Sequence, residues 1–207
     1  GTVEQIDGNL AAERGLSTFD IRHQMRIFSM YELPFGQRSR WANHGWAEHV
    51  FGDWRLLNIF TWQTGTPFTA LLGGTASDNG TGANFSLRAE QLGNPNAGIC
   101  GGSPLNFFNT AAFGLPPADA SGNPTYGNER RGAIEGPCTL SWNTSIAKTF
   151  RFGPERRHML NVQWQIQNVT NTPSFNGLGT IFGSSFFGQV TSASSMRTMS
   201  LMARFNF

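Results

Sequence analysis

Histidines and one acidic, glycine-rich segment are the first candidates for chemistry in this sequence. None of the four histidines pairs with another histidine, a cysteine or a carboxylate at ligand spacing on an identifiable face; they are His23, His44, His49 and His158. Residues 78–82 (Asp-Asn-Gly-Thr-Gly) are similar to a calcium loop, yet they lack the carboxylate count and closing glutamate of an EF-hand. We therefore expect surface or turn histidines and an ordinary Asx/Gly turn.

Other motifs that would indicate catalysis or nucleic-acid binding are missing from the sequence. It has no phosphate-binding Gly-x-x-x-x-Gly-Lys-Ser/Thr loop and no Gly-x-Ser-x-Gly nucleophile elbow. The net charge of +2 is too small to argue for a nucleic-acid partner. The basic residues around 151–158 surround a Gly-Pro turn and indicate a solvated turn. We expect no enzyme, no metal and no cofactor.

The two cysteines lie in glycine- and proline-rich sequence. Cys100 follows Gly98-Ile99, and Cys138 follows Gly136-Pro137. A catalytic thiol or a zinc site would need histidine or further cysteine partners, which are not present at suitable spacing. We favour a disulfide that staples a long exposed loop in an oxidising compartment, with two unrelated thiols as the alternative.

Composition indicates an unusual environment for the sheet that these residues belong to. The chain has 207 residues, of which 14% are charged, against roughly 25% in soluble domains. No run of about 18 apolar residues is present, so we expect neither a membrane-spanning helix nor a secretory signal. The chain begins with Gly1 rather than Met, which predicts a processed chain or a piece of a longer one.

The segment 160–167 has a strand pattern with one apolar and one polar, uncharged face. Lipid outside and a polar lumen inside would require such a strand. The predicted lipid-facing residues of this strand and the preceding one are Trp142, Ile146, Leu160, Val162, Trp164 and Ile166. The predicted lumen-facing residues are Asn143, Ser145, Asn161, Gln163, Gln165 and Gln167.

The fold class predicted from the whole chain is all-β, an antiparallel up-and-down transmembrane β-barrel segment within one domain, 1–207. Strands are predicted at about 19–33, 54–69, 140–150, 158–169 and 190–207. The irregular segment 73–137, which could hide a hairpin near 106–109, is predicted to be a long extracellular loop, and 171–187 another loop on that side. The connections at 34–52 and 151–157 lie on the opposite side, as do the periplasmic turns of outer-membrane barrels.

Five to seven strands cannot close a membrane barrel. The smallest such barrels have about eight strands, and unpaired strand edges are not tolerated in lipid. We therefore expect the chain to be part of a larger barrel. Its aromatic residues are mainly Phe, with 18 Phe and only 2 Tyr, whereas interface girdles normally use Tyr and Trp. The sequence leaves the position of a girdle open.

An ordered set of short motifs resembles a known receptor family. They are residues 22–25 (Arg-His-Gln-Met), 31–36 (Tyr-Glu-Leu-Pro-Phe-Gly), 62–68 (Trp-Gln-Thr-Gly-Thr-Pro-Phe), 108–113 (Phe-Asn-Thr-Ala-Ala-Phe), 175–176 (Phe-Asn) and 204–207 (Arg-Phe-Asn-Phe). In this order they resemble the C-terminal part of an Oar-like TonB-dependent outer-membrane receptor of acidobacterial type, with a carboxypeptidase-regulatory-like domain. The resemblance spans about 20–207.

This resemblance implies a barrel of about 22 strands in the bacterial outer membrane. It also implies a plug domain and a TonB box, neither of which is in this chain. The implied partners are outer-membrane lipid, the remainder of the barrel and plug, the TonB system and the barrel-assembly machinery. That machinery would recognise a C-terminal signal with alternating apolar positions, namely Met199, Leu201, Ala203, Phe205 and Phe207. An ordinary final strand is compatible with the same pattern.

The predicted function is energy-coupled uptake of an unidentified ligand, which could be a glycan, a peptide or a siderophore-like compound. Loop residues that could stack on it are Trp62, Phe107, Phe108 and Tyr126, and packing within the loop is an equally open interpretation of each. One alternative is a passive porin or adhesin barrel. The other is a secreted, soluble β-sandwich that binds carbohydrate.

Overall fold

The computed structural model describes residues 5, 9–35, 41, 45–73, 87–122, 125–154, 157–194 and 196–207. Outside these residues lie the calcium-like segment 78–82, His44, and the turn residues Glu155 and Arg156. Within the described part of the chain, no helix is long and apolar enough to cross a membrane.

The described residues form mostly β-strands and one α-helix. In chain order the elements are β1 (Gln24–Glu32), α1 (Gly45–Phe51), β2 (Trp54–Gln63), β3 (Pro67–Phe68), β4 (Leu71–Leu72), β5 (Glu90–Gln91), the 3-10 helix Thr110–Ala112, β6 (Phe113–Gly114), β7 (Ile134–Glu135), β8 (Thr139–Phe152), β9 (His158–Gln167), β10 (Phe175–Leu178), β11 (Ile181–Phe182), β12 (Val190–Ala193) and β13 (Thr198–Asn206). The long strands have 9 to 14 residues, and about 9–11 tilted residues suffice to cross a bilayer.

The five long strands form one sheet in the order β1-β2-β8-β9-β13. β9 pairs antiparallel with both β8 and β13, for example at Ile146↔Trp164 and Trp164↔Leu201. Side-chain hydrogen bonds between β1 and β2 advance along one strand as they retreat along the other, so this pair is also antiparallel; they join Glu32 to Arg55, Ser29 to Asn58 and Gln24 to Gln63. The all-β, antiparallel fold class is confirmed.

Three of the predicted strand boundaries differ from those of the structure. The first strand begins at Gln24 rather than near 19, and the second ends at Gln63. Residues 64–66 interrupt the second strand, and Gly65 permits the turn. β3 then begins at Pro67, which cannot donate to a ladder, and pairs with β7 instead.

The predicted strand 190–207 is two strands in different sheets. β12 pairs antiparallel with β10, whereas β13 belongs to the five-stranded sheet. The segment between them is serine-rich and makes other backbone contacts: Ser194 N donates to Ser174 O (2.7 Å) and Arg197 N donates to Asn171 Oδ1 (3.0 Å). These contacts separate β12, which pairs with β10, from β13, which pairs with β9.

The chain divides into two compact units. The wall unit comprises Met25–Trp62, Leu140–Pro173 and Ser195–Phe207, and therefore contains most of the long sheet and α1. The loop unit comprises Gly1–Gln24, Gln63–Thr139 and Ser174–Ser194. Most of both predicted long loops, 73–137 and 171–187, therefore belongs to one unit.

The described part of the segment 73–137 is not a structureless loop but contributes to a hydrophobic core. Short two-stranded sheets pair β3 with β7, β5 with β6, and β4 with β11. The β4–β11 pair joins the segment directly before the first predicted loop to the second predicted loop. The buried core consists of Ala70, Leu72, Leu87, Ala89, Phe107, Phe108, Ala112, Phe113, Ile134 and Leu178. Burial of about ten apolar side chains gives this unit a stabilising interior of its own.

Aromatic rings pack edge to face in this core. Phe108 lies 5.7 Å from Phe113 and 5.1 Å from Phe187, measured between ring centroids, in T-shaped geometry. Gly101 has a left-handed backbone conformation, with φ +80, and it lies so close to the Phe107 ring that a Cβ would be 2.0 Å from it. Only glycine accommodates both this φ and this close approach.

Cys100 and Cys138 form a disulfide, with an S–S distance of 2.04 Å. The two residues are 38 positions apart, and both belong to the loop unit. The bond staples the long connection between β2 and β8, as the sequence predicted for this pair. It restricts the unfolded chain and so stabilises the folded loop unit.

Candidate functional site

The strands β8, β9 and β13 bring the predicted apolar and polar residues to opposite faces of the sheet. Cross-strand partners point to the same face, and Ile146, Trp164 and Leu201 are successive partners. On the other face Ser145 pairs with Gln165. By alternation the six residues predicted to face lipid share the first face, and the six predicted to face the lumen share the second. Which face meets lipid stays a prediction.

The polar face of β8 and β9 carries hydrogen-bonded amides and hydroxyls along most of its length, with one charged side chain, Arg151, near the end of β8. Gln163 Nε2 donates to Ser145 Oγ (2.7 Å), and Asn161 Nδ2 donates to Thr149 Oγ1 (3.3 Å). Such amide and hydroxyl groups retain further donors and acceptors for water or a solute. A water-filled lumen would suit this face.

On the apolar face, four polar groups near the Trp142 end of β8 bond to each other. Asn58 Oδ1 accepts a hydrogen bond from Thr144 Oγ1 (2.8 Å) and one from Trp142 Nε1 (3.3 Å). Asn58 Nδ2 donates to Ser29 Oγ (3.4 Å). An unpaired polar group costs several kcal/mol in hydrocarbon, roughly 4–8, whereas water would satisfy it on a soluble surface. This mutual pairing favours lipid contact for the apolar face.

Lys148 is the charged residue on the apolar face of β8, and its ammonium group is fully engaged. Its Nζ donates to Val50 O (2.8 Å) and Gly52 O (2.9 Å) at the C-terminus of α1. The same group lies 5.0 Å from the centroid of the Trp54 ring and 4.9 Å from that of Phe150. Carbonyls at a helix C-terminus and aromatic faces both attract a cation. The charge is thereby held where β8 lies beside the C-terminus of α1.

Aromatic rings also gather where β8, β9 and β13 approach the turn 151–157. Phe205 stacks with Phe152 at 5.8 Å, with His158 at 6.2 Å and with Phe207 at 6.1 Å between centroids. Register places these side chains on the apolar face. The structure thus provides an aromatic band, built from Phe and His, at one end of the wall unit.

In the loop unit, an ion-pair network is built around Glu13. Arg88, only 2% exposed, donates from Nη1 to both Glu13 carboxylate oxygens at 2.9 Å and from Nη2 to Ala12 O at 2.9 Å. Arg131 also forms a salt bridge with Glu13. Burial alone would raise the pKa of Glu13, but hydrogen bonds from Gln5 N, Arg131 and Arg88 outweigh it and hold that pKa below its usual range.

Beside this network lies an open cavity of about 820 Å³, within the range of small-molecule sites. Its lining residues come from 11–16, 88–91, 127–133 and Arg22. They include five arginines, namely Arg14, Arg22, Arg88, Arg130 and Arg131. None of the described residues that line it is acidic.

The Glu129 carboxyl is buried in the same unit, at 1% exposure. Its Oε1 accepts a hydrogen bond from Ala70 N at 2.9 Å, and Oε2 has no partner among the described residues. Burial raises the pKa of Glu129 to about 8, although the hydrogen bond and Arg88 act in the opposite direction. This carboxyl is therefore mostly neutral at pH 7 and does not offset the charge of the arginines.

The four residues predicted to stack on a ligand lie in different environments in the structure. The interpretation is wrong for Phe107 and Phe108, which are 2% and 1% exposed because their rings form the loop core. Trp62 lies in β2 rather than in a loop, in alternation with Asn58 on the apolar face. Tyr126 is partly exposed in the loop unit, so its ligand contact stays a prediction.

The residues that build the cavity were not predicted from the sequence. Arg88 and Glu13 are 75 positions apart, and no local spacing rule connects them. A weak signal was present: an arginine stands between Leu87 and Ala89 in an apolar run, where a charge needs a partner. No group of three or more histidine, cysteine or acidic residues that could hold a metal occurs within the described ranges.

Comparison with known proteins agrees with the fold. The model of a family described as an outer membrane beta barrel domain matches residues 1–200. No curated protein and no solved structure matches the chain.

Proposed function

Because the chain belongs to the outer membrane β-barrel domain family, we propose that it forms wall and outer loops of a TonB-dependent uptake receptor in the bacterial outer membrane. Residence in the outer membrane follows from the family, so the secreted β-sandwich alternative is wrong. Beyond the family, we propose that uptake is energy-coupled and that the complete receptor has a plug domain and a TonB partner. The transported ligand would pass along the polar face that carries Asn161, Gln163 and Gln165.

One observation carries this proposal: the long loops fold into a unit with a core, a disulfide and a cavity. A passive channel needs only an opening, whereas a receptor needs a binding site that is formed before the ligand arrives. Loops positioned by a rigid scaffold commonly carry such sites. The loop unit supports binding followed by transport over free diffusion.

The mutual pairing of Asn58, Thr144 and Trp142 supports a lipid-facing role for the apolar face. The lumen-facing role of Asn143, Ser145 and Gln167 follows by alternation. Among the described strands, β1 and β13 each pair on one side only within the sheet, so further strands of the same barrel would complete both edges.

The test of energy coupling uses the intact protein in its native outer membrane. Uptake of its solute should stop when a protonophore collapses the inner-membrane proton gradient, while solute binding to the outer membrane persists. A passive porin would instead give steady conductance in planar bilayers and uptake that the protonophore leaves unchanged. That second pattern would overturn the proposal in favour of the porin alternative.

Recognition by the barrel-assembly machinery is a separate part of the proposal. Met199, Leu201, Ala203, Phe205 and Phe207 continue the apolar face of the wall unit through the register of β13 with β9. The F205S/F207S double variant of the intact protein should assemble less well in the outer membrane. The neighbouring N206S variant lies on the opposite face and should assemble normally. Equal assembly of both variants would count against the signal.

A further inference from the structure

The arginine-lined cavity of the loop unit carries a surplus of positive charge that the protein does not neutralise. Glu13 pairs with Arg88 and Arg131, and Glu135 pairs with Arg22 at 2.6 Å. Two carboxylates thus form salt bridges with three of the five arginines. The remaining two, Arg14 and Arg130, are exposed and bond to no carboxylate among the described residues. Two guanidinium groups are therefore available to a ligand.

Backbone contacts fix the floor of the cavity. Leu16 N donates to Arg131 O at 3.0 Å, and Gln5 Nε2 donates to Gly127 O at 2.9 Å. At Gly127 a Cβ would lie 2.2 Å from Arg88 O, so the two segments approach as closely as glycine permits. Arg130 directly precedes Arg131 in sequence, and Arg14 lies two residues before Leu16, so both arginines are attached to this fixed floor. The cavity is thus formed before any ligand binds, which lowers the entropic cost of binding.

We propose that this cavity binds a soluble solute carrying two or more carboxylate or phosphate groups. Guanidinium groups present planar pairs of donors that match carboxylate and phosphate oxygens. A neutral glycan would leave the charges of Arg14 and Arg130 without partners, so the site favours an acidic solute over an uncharged one. The inference deepens the proposed uptake function and rests on it only for the fate of the solute after binding.

The test measures binding to the intact protein in detergent by calorimetry, at about 0.15 M salt and pH 7. Pyrophosphate and citrate are the probes, with glucose as the neutral control. The R14Q/R130Q double variant removes the two arginines that have no carboxylate partner and leaves the Glu13 network in place. We expect its dissociation constant for pyrophosphate to rise at least about tenfold. Glucose should not bind to either protein.

The matched control is R197Q, which removes an exposed arginine of the wall unit. It should change the dissociation constant by less than about twofold, because screened charges outside the site contribute little. Unchanged pyrophosphate affinity in R14Q/R130Q, or no binding of either anion to the unmodified protein, would overturn the proposal.

Phosphate groups also occur on the lipopolysaccharide of the membrane that holds the protein. Purified lipopolysaccharide is therefore added in a second arm as a competitor. Displacement by pyrophosphate supports a solute site, whereas retention of lipopolysaccharide against both anions would assign the arginines to lipid and overturn the proposal. Binding in detergent needs no energy source. A protein that binds pyrophosphate but whose uptake resists a protonophore would therefore refute energy coupling and leave this site intact.

Discussion

The loop unit and the wall unit treat large apolar side chains in opposite ways. The loop unit buries Phe107 and Phe108 almost completely in a core of its own. The wall unit leaves Trp164 42% exposed and Leu201 75% exposed on one face of its sheet. A contiguous apolar face of this size is unfavourable in water. The loop unit is therefore stabilised from within, whereas the wall unit depends on the lipid that surrounds it.

The two units also differ in where they place charge. In the loop unit, Arg88, Arg131 and Glu13 form a network beside a cavity. In the wall unit, the apolar face holds Lys148 against carbonyls of α1, and the polar face of β8 and β9 relies on amides and hydroxyls apart from Arg151, which forms a salt bridge near the strand end. The cavity lined by several arginines therefore belongs to the loop unit, whereas the polar face of the wall offers mainly uncharged contacts along the middle of β8 and β9.

The largest effect that would test this contrast is expected from F108A in the loop core. Removing the ring leaves a cavity beside Phe113 and Phe187, and such changes cost about 3–5 kcal/mol. The exposed neighbour L105A should cost almost nothing. Limited proteolysis of the intact protein should show faster cleavage within 87–122 in F108A, while the sheet stays resistant. If F108A made the sheet of the wall unit equally susceptible to the protease, the core would not stabilise the loop unit alone.

The sequence predicts the wall unit better than the loop unit for a physical reason. Alternation at Leu160–Gln167 is a local signal, since each side chain faces away from the next. Phe107 and Phe108 are buried instead in a core that they share with Leu72 and Phe182, from two paired segments about a hundred residues apart in the chain. Two-residue strands are too short to show any period. The cavity is likewise invisible in sequence, because Glu13 meets Arg88 and Arg131 only after folding.

The next largest effect separates the two faces of the wall unit. V162R places a charge on the face predicted to contact lipid, whereas Q163R places it on the opposite, polar face. An arginine facing lipid near mid-membrane costs about 2–4 kcal/mol, and the same residue in a lumen is tolerated. The folded fraction of intact protein in lipid vesicles, followed by heat-modifiable mobility in gels, should fall for V162R alone. A fall for Q163R alone would reverse the assignment of the two faces.

The smallest of the three effects concerns the buried carboxyl of Glu129. Its pKa is raised to about 8 in the folded loop unit, whereas an ordinary glutamate titrates near 4.5. Between these values the folded unit binds a proton that the unfolded chain releases, so its stability increases as the pH falls from about 8 towards 4.5. From pH 7.5 to pH 6 the gain should be about 2 kcal/mol.

The E129Q variant keeps an acceptor for Ala70 N but has no proton to release, so it should lose this pH dependence. The partly exposed E90Q variant is the control, and it should keep the dependence. Pulse proteolysis of the loop unit in guanidinium at the two pH values gives the required free energies of unfolding. If the unmodified protein and E129Q showed the same change with pH, burial of Glu129 would not control the stability of the loop unit. The wall unit should show no corresponding change, because Glu129 lies outside it.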